Sequence, residues 1–286
     1  MKVEFHDDAK KFYDLVNSFL VEHEAENNII LAILTTIIEF PERYGKEKPD
    51  LVTVVHNGDI ELVSIRTPPF NHILSYTDDL STLDFLVEDF VKKGIQVPGL
   101  FGCKEIAKKF VKFWCQAKDL TYKLVMNERI YKLEKVSEVA IGNHEYIIAD
   151  KKYRDLILKW TRKFIIEALP HEKEDSILKS LERVKKDIQE GRIFLLFENG
   201  KPVSMARKAG KTPNGNLVNL VYTPPNLRRN GYATELVAHL SKYLLAEGNK
   251  YCFLFTDLMN PTSNSIYQKV GYRPVTDYDQ YEFIKK

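Results

Sequence analysis

The sequence is poor in cysteine and carries no excess of charge of either sign. Its three cysteines, Cys103, Cys115 and Cys252, include no CxxC pair, so neither a disulfide framework nor a structural zinc site is predicted, and we expect a reducing, cytoplasmic setting. Lys and Arg number 42 against 40 Asp and Glu. The chain therefore lacks the basic field that gathers nucleic acid, and we expect no nucleic-acid partner.

Long apolar runs are missing as well. The longest, Ile29 to Ile38, contains Thr35 and Thr36 and falls short of the roughly 20 residues that cross a bilayer. The acidic N-terminal segment does not resemble an export signal, and we expect no membrane partner. What the sequence does have is material for packed cores, because its 286 residues are 44% hydrophobic and 12% aromatic. This composition predicts globular domains.

The predicted elements occur twice in the same order: two helices, an antiparallel hairpin, and then alternating strands and helices. Both hairpins turn at an Asn-Gly dipeptide, Asn57-Gly58 and Asn199-Gly200, which suits a tight turn. The similar phrases HNGDIELVSIR and ENGKPVSMAR indicate an internal duplication; two ordinary α/β domains that share only a hairpin are the alternative. We place the halves at residues 1–135 and 145–286. Because no Pro- or Ser-rich tether separates them, we expect them to pack together.

Element boundaries follow from the spacing of apolar residues and from Pro and Gly. The first helix is predicted to begin at Asp7, and a short strand is predicted to end near Pro98. In the second half a helix is predicted over Asn264 to Val270. The chain is predicted to end with separate strands near Tyr272 to Val275 and Tyr281 to Ile284.

One segment, LVNLVYTPPNLRRNGYATELV, joins a predicted strand over Leu217 to Thr223 to a predicted helix from Tyr232. The first turn of a helix has free N–H groups and a partial positive charge, so a loop here can bind pyrophosphate. Gly231 permits close approach of the backbone, and Arg228 and Arg229 can add charge-assisted contacts. With no Lys-Ser or Lys-Thr pair and a single glycine, neither a nucleotide-hydrolase loop nor a dinucleotide fingerprint is predicted. A plain turn with two solvated arginines is the alternative.

A second polar cluster follows the next predicted strand. Asn264 and Tyr267 are three residues apart and share a helical face, and Gly271 is predicted to end that helix in a left-handed conformation. In a purely structural interpretation, Asn264 or Ser263 caps the helix and Tyr267 fills the core.

Together, Arg228-x-x-Gly231-x-Ala233 and Asn264-x-x-Tyr267, with Gly271-Tyr272 behind them, resemble the GNAT superfamily of N-acetyltransferases over about Glu145 to Lys286. The resemblance implies an α+β fold of two GNAT-like domains, each a mixed, mostly antiparallel sheet flanked by helices. It also implies acetyl-coenzyme A as the cosubstrate, held where the strand before the loop splays from its neighbour. The implied acceptor is a small-molecule or peptide amine that attacks the thioester directly.

The resemblance also implies individual roles. The cofactor-binding positions are Val221, Tyr222, Thr223, Arg228, Arg229, Asn230, Gly231, Tyr232, Ala233, Thr234 and Asn264. Tyr267 is the implied catalytic acid for the leaving thiolate, because a phenol with a pKa of about 10 stays protonated at neutral pH. The general base stays open: Asn219 could orient a water and Asp257 follows the next strand, whereas Glu198 and His239 are predicted to be surface or packing residues.

The first half departs from this pattern. Its corresponding loop reads Thr77-Asp78-Asp79-Leu80-Ser81, and two acids would repel a pyrophosphate. The glycines of PGLFGC, residues 98–103, follow the wrong strand, and Gly102 is predicted to lead the chain into a helix. We therefore predict a degenerate transferase-like half without a cofactor loop, which either shapes the acceptor pocket or covers apolar surface. Two other functions stay open for the whole chain: a noncatalytic acyl-coenzyme A binding or sensing module, and a structural protein.

Overall fold

The computed structural model describes residues 1–170 and 173–286, and its strands form one mixed, twelve-stranded sheet. The strands are β1 (Lys2–His6), β2 (Asp50–His56), β3 (Asp59–Arg66), β4 (His72–Leu74), β5 (Gly99–Cys103), β6 (Leu120–Leu133), β7 (Glu145–Ile148), β8 (Ile193–Glu198), β9 (Lys201–Lys211), β10 (Gly215–Tyr222), β11 (Tyr251–Asp257) and β12 (Arg273–Lys285). The α-helices are α1 (Ala9–Glu22), α2 (Asn28–Glu39), α3 (Thr82–Lys92), α4 (Lys104–Lys118), α5 (Arg154–Ala168), α6 (Glu174–Gln189), α7 (Tyr232–Ala246) and α8 (Pro261–Val270). In the described ranges, no helix is both long and apolar enough to span a bilayer.

The halves exchange their last strands. Across the sheet the order is β1-β2-β3-β4-β5-β12-β6-β11-β10-β9-β8-β7, which reads the same from both edges if β1 to β6 correspond to β7 to β12. Each half therefore places its sixth strand beside the fifth strand of the other half. β6 and β12 pair with each other from Arg273↔Lys132 to Lys285↔Leu120. The fold is α+β as predicted, the symmetric order agrees with an internal duplication, and the exchange joins the two predicted sheets into one.

Local sequence explains the hairpins and the start of the first helix. Asn57 and Gly58, and likewise Asn199 and Gly200, have positive φ, which is what a two-residue turn of this kind requires. The Asp8 carboxylate accepts the backbone N–H groups of Lys10 and Lys11 at 2.9 and 3.0 Å, so α1 begins after this cap and not at Asp7. The residues before the cap form β1, an edge strand that the sequence did not indicate.

Three further boundaries differ from prediction. The strand predicted to end near Pro98 instead begins at Gly99, where an added Cβ would lie 2.5 Å from the carbonyl of Tyr281 on β12. This close approach of two backbones explains the glycine. Gly102 accordingly lies inside β5. The two predicted final strands are one, because β12 is paired on both sides, with β5 and with β6.

The start of α8 also differs. The Asn260 side chain accepts the Ser263 N–H at 3.1 Å, and Pro261 follows at the first helical position, where its missing N–H costs nothing. Asn260 is therefore the cap, and the expectation that Asn264 or Ser263 caps the helix is wrong. At the other end Gly271 has φ +112, which confirms the predicted left-handed stop.

Polar contacts add to the shared sheet in holding the halves together, as expected from the absence of a tether. Arg43 of the first half pairs with Asp187 of α6 and with Glu190, the residue that follows this helix, at 2.5 and 3.0 Å. The buried Glu24 carboxylate accepts hydrogen bonds from the Thr212 hydroxyl and from the backbone and side-chain nitrogens of Asn214. Because removing one partner would leave a buried charge uncompensated, these contacts constrain how the halves can move.

Candidate active site

β10 and β11 start as a parallel pair and then diverge. Their register joins Gly215 to Tyr251, Asn216 to Cys252 and Leu217 to Phe253. Within the described residues no further pairs join them, although β10 continues to Tyr222 and β11 to Asp257. The result is a gap that opens toward the carboxyl ends of both strands, which we call the wedge.

A β-bulge in β10 explains the divergence. Asn219 lies opposite Arg207 and Tyr222 opposite Met205, so β10 has one residue more than β9 between these pairs. Leu220 takes up the difference with φ +51. A bulge bends its strand and interrupts the ladder, so β10 turns away from β11 at the position of Val221.

The loop after β10 leads into α7 through residues with left-handed backbone. Arg229 and Gly231 have φ +68 and +83, and the first intrahelical bond in α7 is from the Glu235 N–H to the Gly231 carbonyl, at 3.0 Å. The N–H groups of Tyr232, Ala233 and Thr234 therefore have no acceptor in the helix. A Cβ on Gly231 would meet no atom within 4 Å. Open space in front of free N–H groups is what a diphosphate needs.

The predicted loop residues divide into two groups. Arg228 is engaged with the protein: its Nε donates to the Thr223 carbonyl at 2.9 Å and its Nη2 to Glu167 of α5 at 2.7 Å. The Asn230 amide donates to the Leu227 carbonyl at 3.1 Å. These two side chains shape the loop. Arg229, in contrast, is exposed and forms no ion pair with any described residue, so it is the arginine available to an anion.

At Val221, Tyr222 and Thr223 the side chains are occupied by contacts within the protein, which leaves the backbone groups to contact a ligand. Tyr222 is buried, with its ring 6.1 Å from Trp160 of α5, and the Thr223 hydroxyl shares a 2.9 Å hydrogen bond with Ser204. Val221 is half-buried and packs against the core cluster that includes α7. A ligand in the wedge would therefore meet the peptide groups of these residues.

Asn264 and Tyr267 both contact Tyr131, which β6 brings from the first half. The Asn264 Oδ1 accepts the Tyr131 hydroxyl at 3.0 Å, and its Nδ2 donates to the carbonyls of Asp257 and Asn260 at 3.0 and 2.8 Å. The Tyr267 ring lies between Tyr131 and Tyr272, at 6.4 and 6.2 Å. Burial raises the pKa of Tyr267 to about 12, so its hydroxyl stays protonated at neutral pH.

The residues considered as general base are differently placed. The Asn219 Oδ1 accepts from Arg207 at 2.8 Å, and Asp257 accepts the Met259 N–H at 2.8 Å. His239 stacks on Tyr146 at 4.6 Å, which agrees with a packing role. Glu198 pairs with His144, a residue that no sequence motif indicates.

His144 bridges two carboxylates, those of Glu198 and Glu235. Its Nδ1 lies 2.6 Å from Glu235 in the first turn of α7, its backbone N–H donates to the same carboxylate at 2.7 Å, and its Nε2 contacts Glu198. The hydrogen bond to Glu235 is the main reason why the pKa of His144 is raised. The cluster ties α7 to the end of β8. Its members are far apart in the chain, and no motif links them.

The corresponding loop of the first half is closed by its own acid. Asp79 Oδ1 accepts the Ser81 N–H at 2.8 Å just before α3, and the Asp79 carbonyl accepts the Thr82 hydroxyl at 2.7 Å. A carboxylate thus occupies the end of the helix where an anion would bind. Among the residues that the structure describes, no group of three or more His, Cys, Asp or Glu side chains is arranged to hold a metal.

Comparison with known proteins agrees with this geometry. Residues 155–272 match the model of the acetyltransferase (GNAT) family. No curated protein sequence matches the chain. A Drosophila protein of solved structure superposes with a TM-score of 0.69 at 10% identity, covering 99% of this chain and 98% of that one. A GNAT-family acetyltransferase from Colwellia psychrerythraea gives 0.57 at 13% identity over all of both chains. A GCN5-related N-acetyltransferase from Kribbella flavida gives 0.54 at 15%, covering 89% and 94%.

At these identities the solved structures show the fold alone, and they show it over the whole chain. The family match coincides with the half that contains the wedge and the loop before α7. Residues 155–272 of this chain therefore form a domain of the acetyltransferase (GNAT) family.

Proposed function

We propose that the protein is an acetyl-coenzyme A-dependent N-acetyltransferase that acetylates a primary amine of a small molecule or peptide. The observation that carries this proposal is the wedge between β10 and β11, which ends at a loop with free N–H groups. An elongated ligand with a diphosphate in its middle fits such a gap, because the strand edge can pair with its amide-bearing arm while the helix start holds its charge.

The residues present fit acetyl-coenzyme A. The backbone of residues 229–234 would hold the diphosphate with help from the Arg229 side chain, and the peptide groups of Val221, Tyr222 and Thr223 would line the arm. Asn264 would reach the ligand only by giving up one of its bonds to Tyr131, Asp257 or Asn260. When bound, the cofactor supplies the thioester carbonyl that an amine attacks.

Tyr267 is the proposed catalytic acid. Its pKa of about 12, raised by burial, makes the phenol a proton donor that does not ionise in the free protein. A proton delivered to a leaving thiolate assists the breaking of the C–S bond. The hydroxyl has no hydrogen-bond partner within the described part of the chain, so it is free to contact a ligand.

The first half is proposed to be a degenerate copy over residues 1–135, and the catalytic domain to cover 145–286. The acidic, self-capped loop at Asp79 supports the loss of a cofactor site. The exchanged strand β6, which supplies Tyr131 to the neighbourhood of Tyr267, supports a role for this half in building the second site.

Calorimetry with acetyl-coenzyme A, followed by thiol release with a panel of primary amines, tests the proposal. Binding and amine-dependent thiol release are expected. Tight binding without release for any amine would favour the acyl-coenzyme A sensor instead. Absence of binding would overturn both functions and leave a structural role.

A further inference from the structure

Two carboxylates from different halves of the chain lie side by side at the end of β11. Glu128 on the exchanged strand β6 is opposite Asp257 on β11. Residues directly opposite on antiparallel strands share a face, with Cβ atoms about 5 Å apart. Asp257 is the last residue of β11, the strand that borders the wedge. The pair therefore lies next to the open end of the wedge.

Glu128 and Asp257 lie on the face of the sheet that is opposite to α7 and α8. Cys252 and Leu254 of β11 pack in one cluster with residues of α7 and α8. Side chains alternate along a strand, so Phe255 and Asp257 point to the other side of the sheet. An acceptor that enters from that side reaches the wedge without crossing the loop that precedes α7.

Glu128 is partly buried, and no basic side chain among the described residues pairs with it. It forms no hydrogen bond or ion pair with any residue that the structure describes, while Arg129 next to it is engaged by Asp277 at 2.7 Å. Burial, and secondarily the Asp257 charge, raises the pKa of Glu128 to about 7. Tyr278, opposite Glu128 on β12, donates its hydroxyl to the Glu26 carbonyl at 2.7 Å. A partly buried carboxylate whose pKa is raised in this way is stabilised in its charged form by a ligand that brings a positive charge.

We propose that Glu128 and Asp257 together bind the ammonium group of the acceptor and that Glu128 removes its proton. The first half thus supplies a catalytic residue to the site of the second half through the exchanged strand. This inference rests on the proposed function, and it assigns the acceptor class: a primary amine that arrives protonated.

Each transfer converts one ammonium and one thioester into an amide, a thiol and one released proton. An N–H bond of the ammonium breaks and its proton moves to the Glu128 carboxylate, which leaves a lone pair on nitrogen. That pair forms the N–C bond with the thioester carbonyl carbon, and the C–S pair leaves with sulfur, which takes the Tyr267 proton. Once the N–C bond has formed, nitrogen loses its second proton to solvent water, and a proton from solvent restores the Tyr267 hydroxyl. Glu128 then releases its proton, so one proton is released for each amide formed.

The test uses the full chain and two nucleophiles. Glu128→Gln keeps the size of the side chain and removes its basicity, and Glu282→Gln, an exposed carboxylate on β12, is the matched control. The probes are the best primary amine of the panel and hydroxylamine, which is neutral at neutral pH and needs no base. We expect Glu128→Gln to lower kcat/KM for the amine about 100-fold. Its reaction with hydroxylamine and its affinity for acetyl-coenzyme A are expected to match those of the wild type and of Glu282→Gln.

A second measurement is independent of turnover. In protein with carbon-13 at the glutamate carboxyls and no ligand, one resonance is expected to titrate near pH 7 and to be missing in Glu128→Gln. Asp257 from β11 and Tyr278 from β12 are the titratable side chains opposite Glu128. Asp257→Asn removes the like charge, so the midpoint is expected to move to lower pH. The same variant is expected to lose amine transfer and keep hydroxylamine transfer.

Unchanged amine kinetics in Glu128→Gln would overturn the assignment, as would equal losses with both nucleophiles, which would indicate a structural role. If Glu128→Gln does not fold, Asp257→Asn and the titration of the wild type decide. If the wild type acetylates neither nucleophile, the proposed function itself fails. That failure is distinguishable, because the glutamate titration is measured without any reaction.

Discussion

Gly231 offers the sharpest test of the cofactor loop. It has φ +83 at the start of α7, and an L-residue in a left-handed conformation costs about 1–2 kcal/mol. Because no atom lies within 4 Å of the added Cβ, Gly231→Ala brings no clash and its cost is conformational. If the free loop relaxes to negative φ, the N–H groups turn away, and the strain must be restored on binding. At about 1.4 kcal/mol for each tenfold change, the Kd for acetyl-coenzyme A should rise about five- to thirty-fold.

If the loop of Gly231→Ala keeps its conformation, the same conformational cost lowers the free energy of unfolding instead of the affinity. For a chain of this size each kcal/mol corresponds to a Tm change of about 2–4 °C, so calorimetry and thermal melts are to be measured on the same samples. Gly200→Ala is the matched control, since Gly200 has φ +72, equally open surroundings and a position in the β8–β9 turn. It is expected to lower Tm by a similar amount and leave the Kd unchanged.

A branched side chain makes the result decisive. Gly231→Val fills the open space in front of the first turn of α7 with atoms, and a Kd increase of at least about 100-fold is expected from lost contacts with the N–H groups. A Gly231→Val protein that binds acetyl-coenzyme A as tightly as the wild type would refute the assignment of this loop.

Three other perturbations follow from the structure. Tyr267→Phe is expected to lower kcat about 100-fold or more without changing the Kd for acetyl-coenzyme A, because only the proton donor is removed. His144→Gln tests linkage: the pKa of His144 is raised from 6.5 in the folded protein, so its stabilising contribution is complete below pH 6.5 and is lost as pH rises through the folded value. The Tm difference between wild type and variant should therefore be largest below pH 6.5 and shrink above it. Residues 145–286 expressed alone are expected not to bind acetyl-coenzyme A, since β6 lies between β11 and β12; adding residues 1–144 should restore binding.

For each of these three variants, a different outcome would contradict the expected role. A full rate in Tyr267→Phe would remove the phenol from the mechanism. A Tm difference that is constant with pH would show that His144 acts through packing against Tyr232, whose ring lies 5.4 Å away, and not through its charge. Binding by residues 145–286 with the affinity of the whole chain would show that the exchanged strand is dispensable for the cofactor.

Features encoded by a few adjacent residues could be predicted from the sequence. The Asn-Gly turns, the stop at Gly271 and the loop at Gly231 each depend on backbone conformations that few residue types adopt. These conformations depend only on adjacent residues, so they can be predicted without knowledge of the fold. The same reasoning missed β1 and β7, which are short and lie at the two edges of the sheet, where half-exposed residues give only a weak alternation.

The strand exchange could not be predicted, because β6 and β12 offer similar alternating patterns to either fifth strand. Pairing β12 with β5 instead of β11 changes no residue's local preference, and only the assembled sheet distinguishes the two arrangements. Glu128 was missed for the same reason. In sequence it lies in the first half, and only the register with Asp257 brings it to the wedge.

The exchange also explains why we expect the second half to depend on the first. Successive residues of β6 serve different cores: Ile130 packs with the cluster around α3 and α4, and Tyr131 and Leu133 pack with the cluster around α7 and α8. Because side chains alternate along the strand, a one-residue slip of β6 would misplace both sets at once. The same register fixes Tyr131 against Asn264 and Glu128 against Asp257. The packing that stabilises the two cores is thus also what sets the geometry on both sides of the wedge, so a change in the first half is transmitted to the site through the position of one strand.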